Sequence, residues 1–337
     1  MTLSEYQMNF EKLCNKLNLG VMIKPPRLVF GGYLHRMFEL ETTCKKYAVK
    51  VLNPEIMLRP MAIKNTVESE LVADFLKDKI PVVAAIRFND QCIIEFDGQH
   101  YMLFEWNNGR CLKRNEITIS HCRKIGDILA KIHMTDLSKL RINDYSPSPL
   151  SLPDWDIYLK SGKKSLSSWT DLLEKNIDYL TLFNRKIMDS YGSLIQLTVI
   201  SHGDLDPKNV MWENDEPFVI DWESTGYIHP MADLLDTAVY WAEDGEGIIA
   251  KDKFLAFIDE YRKYAKLILM NWEDALLYNM MNKFGWLEYN LKRSLMIECA
   301  DIKEQQSGTE QVIRTIGDIR HYGENIPLLV SWLNELD

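Results

Sequence analysis

Ser201-His202-Gly203-Asp204-Leu205-Asp206-Pro207-Lys208-Asn209-Val210, with Phe218-Val219-Ile220-Asp221-Trp222-Glu223 after it, decides how this chain folds. It sets an Asp and an Asn five residues apart and adds a second Asp at the end of an apolar run. Val199-Ile200 reads as the end of one strand and Val210-Met211-Trp212 as the start of another. Gly203 and Pro207 keep the segment between them in a loop. A loop of this length turns Asp204 and Asn209 toward one cleft, and the short strand Pro217-Phe218-Val219-Ile220 delivers Asp221 beside Asn209. Phosphoryl transfer needs these groups: one carboxylate orients an attacking hydroxyl and accepts its proton, while an amide and a second carboxylate hold Mg²⁺ against nucleotide phosphates. Mg²⁺ takes oxygen ligands and needs only one or two carboxylates beside the phosphates. A lone H-x-D-x-x-x-x-N is a pattern chance supplies; the strand pair and Asp221, twelve residues after Asn209, make it a candidate site.

His202, Asp204 and Asn209 have the spacing of the kinase catalytic loop. His-Gly-Asp-Leu-Asp-Pro-Lys-Asn-Val followed by Ile-Asp-Trp-Glu resembles the aminoglycoside phosphotransferase and choline kinase superfamily, relatives of the protein kinases. Asp221-Trp222-Glu223 is similar to that branch's D-x-[ED] element and departs from the D-F-G of protein kinases, and no A-P-E element follows. The resemblance implies an α+β, two-lobed protein-kinase-like fold. The N-terminal lobe would be an antiparallel sheet with a helix, over residues 1–105. The mostly helical C-terminal lobe would span 106–337, with a helical insertion at about 150–190. By the same resemblance Asp204 is catalytic, Asn209 and Asp221 are metal ligands, and His202 supports the loop. Asp233, in a segment similar to the family's Asp-Leu-Ala, would tie the metal loop to the C-terminal helices.

Upstream, Arg27-Leu28-Val29-Phe30, Met37-Phe38-Glu39-Leu40 and Tyr47-Ala48-Val49-Lys50-Val51-Leu52 read as three strands, the first two joined by Gly31-Gly32. Tyr-Ala-Val-Lys resembles the V-A-I-K strand of kinases, so that Lys50 would bridge nucleotide phosphates and Gly31 and Gly32 would lie over them. Strand alternation puts Ala48 and Lys50 on one face. Residues 66–76 read as the following helix, with apolar positions at 67, 71, 72, 75 and 76. Glu70 there is the expected partner of Lys50, with Glu68, two positions away and on a different face, as the alternative. Cys92-Ile93-Ile94-Glu95-Phe96 and His100-Tyr101-Met102-Leu103-Phe104-Glu105-Trp106 read as strands joined by Asp97-Gly98, a turn signal. The second runs into Asn107-Asn108-Gly109, which resembles the hinge between lobes (104–109). By that resemblance the backbone at Phe104 and Trp106 would bond the nucleotide base.

The 337 residues suffice for two lobes, since single cores stop growing near ~250–300 residues. No apolar run reaches the ~20 residues of a membrane span. The N-terminus, with a Thr2-x-x-Glu5 capping box, lacks the pattern of a signal peptide. Six scattered cysteines without C-x-x-C pairs suit reduced thiols and a cytoplasmic location, and argue against zinc. The expected cofactors are ATP, with GTP possible, and Mg²⁺.

Beyond the hinge, residues 119–134 read as a long helix ending in His133, a packed or capping histidine. Residues 143–155 read as a Pro/Ser-rich connection, and 156–190 as two helices. After Asp233 the pattern is helical, with breaks expected near 244–247 and at Gln305-Gln306-Ser307-Gly308. In the resembled family the phosphate acceptor lies among these helices. This chain is rich there in acids and aromatics, and Trp222, Glu223, Trp241 and Glu243 are the candidate substrate residues. With 49 acidic against 39 basic residues and a net charge of −10, an acidic, aromatic-walled cleft would draw in a cationic, hydroxyl-bearing small molecule. The absence of a basic stripe argues against nucleic acid. Expected partners are that small molecule alone, with no membrane, in a monomer or homodimer. Three functions stay open: a kinase for an aminoglycoside-like antibiotic, a kinase for choline, ethanolamine or another small alcohol, and a nucleotide-binding pseudokinase.

Overall fold

The computed structural model describes residues 6–29, 34–140, 142, 150–268, 270–299 and 301–336. Along the chain come α1 (Phe10–Leu17), β1 (Arg27–Val29), β2 (Arg36–Glu41), β3 (Lys46–Val51), α2 (Pro54–Met57), α3 (Ala62–Leu76), β4 (Ile94–Phe96), β5 (Gln99–Glu105), β6 (Arg110–Cys111) and α4 (Ile119–His133). Then follow α5 (Trp155–Ser165), α6 (Thr170–Leu194), β7 (Val199–Ser201), β8 (Val210–Glu213), β9 (Glu216–Val219), β10 (Gly226–Ile228), α7 (Pro230–Ala242), α8 (Lys251–Tyr261), α9 (Trp272–Ser294) and α10 (Ile302–Leu333). They form two compact units. The first joins residues 1–112 to 137–142 and 204–225, and the second holds the remainder. The segment carrying Asp204, Asn209 and Asp221 thus folds with the N-terminal sheet.

In the first unit β1-β2-β3-β5-β4 form one antiparallel sheet, and β6-β8-β9 a second. Pleat alternation divides β3. Tyr47, Val49 and Val51 join Leu40, Tyr101, Leu103, Leu13 and Cys14 in a core under α1, while Ala48 and Lys50 face the other way. The Asp97-Gly98 turn forms as expected, both residues having positive φ (47° and 76°), as a two-residue I′ hairpin requires. The expected cap at Thr2 and Glu5 lies outside the described residues; α1 is capped by Asn9, whose side chain accepts from Lys12 N–H.

Among its described residues the second unit is chiefly helical, with β7 and β10 forming a two-stranded pair. Every residue of α7 except Tyr240 is buried, and α4, α8 and α9 pack against it. α9 runs along α10 and α6. The helices expected over 156–190 are α5 and α6. The expected break at 305–308 is corrected: those residues lie inside α10, which begins at Ile302, after α9 has ended at Ser294. Gly308 acts as a spacer, because a Cβ there would meet Arg293 Cβ at 2.7 Å and Ser294 N at 3.0 Å. Among the described residues no helix is long and apolar enough to cross a membrane.

Candidate active site

The loop after β7 is built by short-range capping. Gly203 has φ +75°, a conformation that suits glycine. Asp206 accepts from Lys208 N–H at 2.9 Å, capping a 3₁₀ turn over Pro207–Asn209 that begins with a proline. The turn directs Asn209 Nδ2 onto Asp204, to its backbone oxygen at 2.8 Å and to Oδ2 at 2.9 Å. Because both amide hydrogens point at Asp204, Asn209 Oδ1 is left to other uses, and it accepts no hydrogen bond among the described residues. Lys208 Nζ lies 3.0 Å from the Asp204 carboxylate. The β8–β9 hairpin then brings Ile220 N–H to Asn209 O at 3.0 Å, which sets Asp221 next to Asn209. Asp221 has φ +61°, a left-handed conformation that Asp tolerates better than most residues and that is often found at functional sites.

Lys50 reaches the same place from β3. Its Nζ lies 2.7 Å from Asp221 Oδ1 and 2.5 Å from Glu223 Oε2. Burial opposes the charge on Lys50, but the two carboxylates outweigh it and hold its pKa above the ordinary lysine value. Glu223 is also 3.4 Å from His35 Nε2. His35 Nδ1 accepts from Asn53 N–H at 2.9 Å, so a neutral ring carries its proton on Nε2 and donates toward Glu223. Burial, aided by the Lys50 charge, keeps that ring neutral, with a pKa down to about 3. These side chains, with Thr66, Ser69 and Glu70, line a cavity of about 20 Å³, room for about one water.

The expected Lys50–Glu70 ion pair is corrected. Glu70 lines the cavity, but its carboxyl accepts from Ala85 N–H at 2.8 Å, and Lys50 is taken by Asp221 and Glu223. Burial is the main reason that the Glu70 pKa is pushed up to about 7, and a half-neutral acid is a weak partner for an ammonium. Glu68 faces elsewhere, 3.8 Å from Lys64.

The backbone contacts expected of Phe104 and Trp106 are corrected as well. Trp106 N–H donates to Lys46 O at 3.3 Å, and Phe104 pairs with Ala48. Hydrogen-bonded pairs alternate along an antiparallel ladder, so 46/106, 48/104 and 50/102 are the bonded pairs. The backbone groups of Glu105 turn outward instead, and are the ones free of β3 for a base. Leu103 also faces that edge, but its oxygen already accepts from Ile86 N–H at 2.7 Å. Gly31 and Gly32 lie outside the described residues.

In the second unit Asp233 is buried, and its Oδ2 lies 2.9 Å from His133 Nε2. That nitrogen is also 3.2 Å from Ser201 Oγ, and His133 Nδ1 lies 2.8 Å from the Tyr261 hydroxyl. Asp233 thereby ties α7 to α4 and to β7, the strand that leads toward Asp204. His202 is fully buried. One candidate substrate residue is corrected by burial, Trp241 (0% exposed), which is core, whereas Trp222 (1%) is buried beside Lys50, Asp221 and Glu223 and lines the same cavity. Glu223 belongs to the Lys50 cluster. Glu243 faces Arg114 at 3.6 Å and remains partly exposed.

Two members of the site were not anticipated. Lys208 stood in the quoted loop, where its i,i+4 spacing from Asp204 was a usable signal, whereas a lone His35 carried none. Among the described residues no three His, Cys, Asp or Glu gather in metal-binding geometry. The Asp221 carboxylate and the Asn209 Oδ1, both hard oxygens on adjoining backbone, suit a Mg²⁺ whose other ligands are phosphates and water.

Residues 27–267 match the phosphotransferase enzyme family. The serine/threonine protein kinase RdoA of Salmonella typhimurium is 21% identical over 208 residues, a match covering 59% of this chain and 59% of that protein. Among solved structures, a spectinomycin phosphotransferase bound to ADP and spectinomycin superposes with a TM-score of 0.66 at 10% identity, over 93% of this chain and 97% of that one. An ethanolamine kinase from Plasmodium vivax gives 0.57 at 14%, over 88% and 83%. These likenesses place the fold among the two-lobed, protein-kinase-like phosphotransferases, as the family resemblance implied. With the family match extending over most of its length, the chain belongs to the phosphotransferase enzyme family.

Proposed function

We propose that this protein transfers the γ-phosphoryl group of ATP or GTP to a hydroxyl of a small molecule, with an aminoglycoside-like antibiotic as the acceptor class. One observation carries the reading: Asp204, Asn209, Asp221 and Lys50, as much as 171 residues apart in sequence, converge on one cluster of contacts. Asn209 and Asp221 would hold Mg²⁺, which when bound offsets the charge of the β- and γ-phosphates. Lys50 binds the phosphates, and Asp221 and Glu223 aim its ammonium. Glu105 offers its outward backbone groups to the base. Asp204, oriented by the Asn209 amide, aligns the acceptor hydroxyl and takes its proton.

The acidic net charge and the spectinomycin phosphotransferase and ethanolamine kinase of similar fold favour a small, cationic acceptor. A second reading, a protein hydroxyl as acceptor, is favoured by the name of RdoA. Six free thiols, four of them buried, suit the reducing cytoplasm.

The test is consumption of Mg-ATP and Mg-GTP in the presence of kanamycin, spectinomycin, choline, ethanolamine and casein. Stimulation by the antibiotics alone supports the reading. Stimulation by choline or ethanolamine alone moves it to metabolic alcohols, and by casein alone to proteins. Nucleotide binding with no consumption in any arm makes the chain a pseudokinase. Asp204→Ala should abolish turnover and leave Mg-nucleotide affinity largely intact, and near-normal turnover by that variant would sink the assignment.

A further inference from the structure

We propose that Lys208 is a catalytic residue, whose ammonium moves onto the phosphoryl group in transit and offsets its charge. The inference rests on the reading of Asp204 given above. Lys208 Nζ lies 3.0 Å from each oxygen of the Asp204 carboxylate and 3.7 Å from Asp206 Oδ2. Its backbone is held at both ends: Asp206 Oδ1 accepts its N–H at 2.9 Å, and its carbonyl accepts from Cys111 Sγ at 3.0 Å. Its side chain, by contrast, is 46% exposed. A fixed base with a free, four-carbon stem lets the ammonium pivot over a few ångströms without moving the loop.

The place it pivots in is the reaction path. A hydroxyl that donates to Asp204 does so at about 2.7 Å, and the phosphorus it attacks lies about 3–3.5 Å beyond it. In the transfer the bond from the acceptor oxygen to the γ-phosphorus forms. The bond from that phosphorus to the bridging oxygen breaks, its electron pair leaving on the nucleoside diphosphate, and the hydroxyl proton passes to Asp204. Charge is spread meanwhile over the equatorial phosphoryl oxygens, within reach of a cation already resting on Asp204. Asn209 and Asp221 are assigned to the metal and Lys50 is aimed by Asp221 and Glu223, whereas the Lys208 ammonium rests on Asp204 itself. The bland account is a solvated i,i+4 ion pair, which would be nearly silent in both rate and stability.

The test measures phosphate release from Mg-ATP with water as acceptor, together with urea unfolding, for the wild type, Lys208→Met, Lys208→Arg and Asp204→Ala. Lys208→Met should lower kcat about 10²-fold, with KM for ATP within about threefold of wild type and an unchanged urea midpoint. Lys208→Arg should return kcat to within about tenfold of wild type, since the charge is kept. A kcat for Lys208→Met within about twofold of wild type, while Asp204→Ala is inactive, overturns the inference and spares the reading of Asp204. A loss shared equally by Lys208→Met and Lys208→Arg with a lowered urea midpoint marks a structural role and also overturns it. Release by Asp204→Ala equal to wild type refutes the reading itself, and the inference with it.

Discussion

Replacing Glu70 by Gln should remove the Glu70 contribution to the pH dependence of stability. The Glu70 carboxyl is 5% exposed. Burial raises its pKa from 4.5 to about 7, against the opposing effects of the Ala85 N–H, Lys50 and Arg87 and with some help from Asp221. Between these values the folded chain keeps a proton that the unfolded chain has lost, so each pH unit upward weakens the fold by about 1.4 kcal/mol. The contribution is fully present below 4.5 and is lost as pH rises through about 7, about 3 kcal/mol in all. Glutamine stays neutral throughout and still offers an oxygen to Ala85 N–H. Urea unfolding of both proteins from about pH 5 to about pH 8 measures the difference. The stability of Glu70→Gln relative to wild type should rise steadily with pH. A difference that does not change with pH would refute the claim that burial holds this carboxyl neutral.

Asp221→Ala should impair both Mg-nucleotide affinity, read by titration calorimetry, and turnover, because it strips Lys50 of a partner and removes the carboxylate proposed to hold the metal. Gly308→Ala should lower stability by roughly 1–3 kcal/mol in urea unfolding through overpacking against Arg293. Gly317→Ala in the same helix, with nothing within 4 Å of the added carbon, should instead raise it by about 0.5–1 kcal/mol. Glu39, bonded to Lys46 and Arg27, has its pKa held down to about 2, so its contribution is present above about 4.5 and is lost as pH falls through about 2. In acid unfolding, Glu39→Gln should therefore lose stability relative to wild type at neutral pH and converge with it in strong acid.

What could be read in the sequence was local. The Pro207 turn, the Asp97-Gly98 hairpin and the alternation of β3 each depend on residues within a few positions, and each formed. What could not be read depends on partners far along the chain. Nothing near Lys50 shows that residues 171 and 173 positions away will bind it in preference to Glu70 on the next helix. The pairing parity of Phe104 is set by β3, not by β5 itself. Gly308 looks like a helix breaker until Arg293 is found against it, and Trp241 looks like a substrate wall until α7 proves buried on nearly all sides. Both errors took a residue type for a role that only its neighbours decide.

Parity also explains how so polar a cluster is placed without being the source of its own stability. β3 must keep Tyr47, Val49 and Val51 in the core under α1, and a slip of one residue would expose them and drive Lys50 into apolar surroundings. The apolar face, not the ion pair, therefore positions the ammonium. The candidate metal ligands obey the same rule through a turn at the far end of their hairpin. Asn214 and Asp215, both with positive φ (51° and 65°), close a two-residue turn that pairs Glu213 with Glu216 and Val210 with Val219. The same count brings Ile220 N–H to Asn209 O, which leaves Asp221 as the next residue. One more residue in that turn would move the pairing and send the Asp221 carboxylate to the opposite face. The twelve-residue spacing from Asn209 to Asp221 is thus fixed by the tightest turn its strands can make, and the chemistry inherits it.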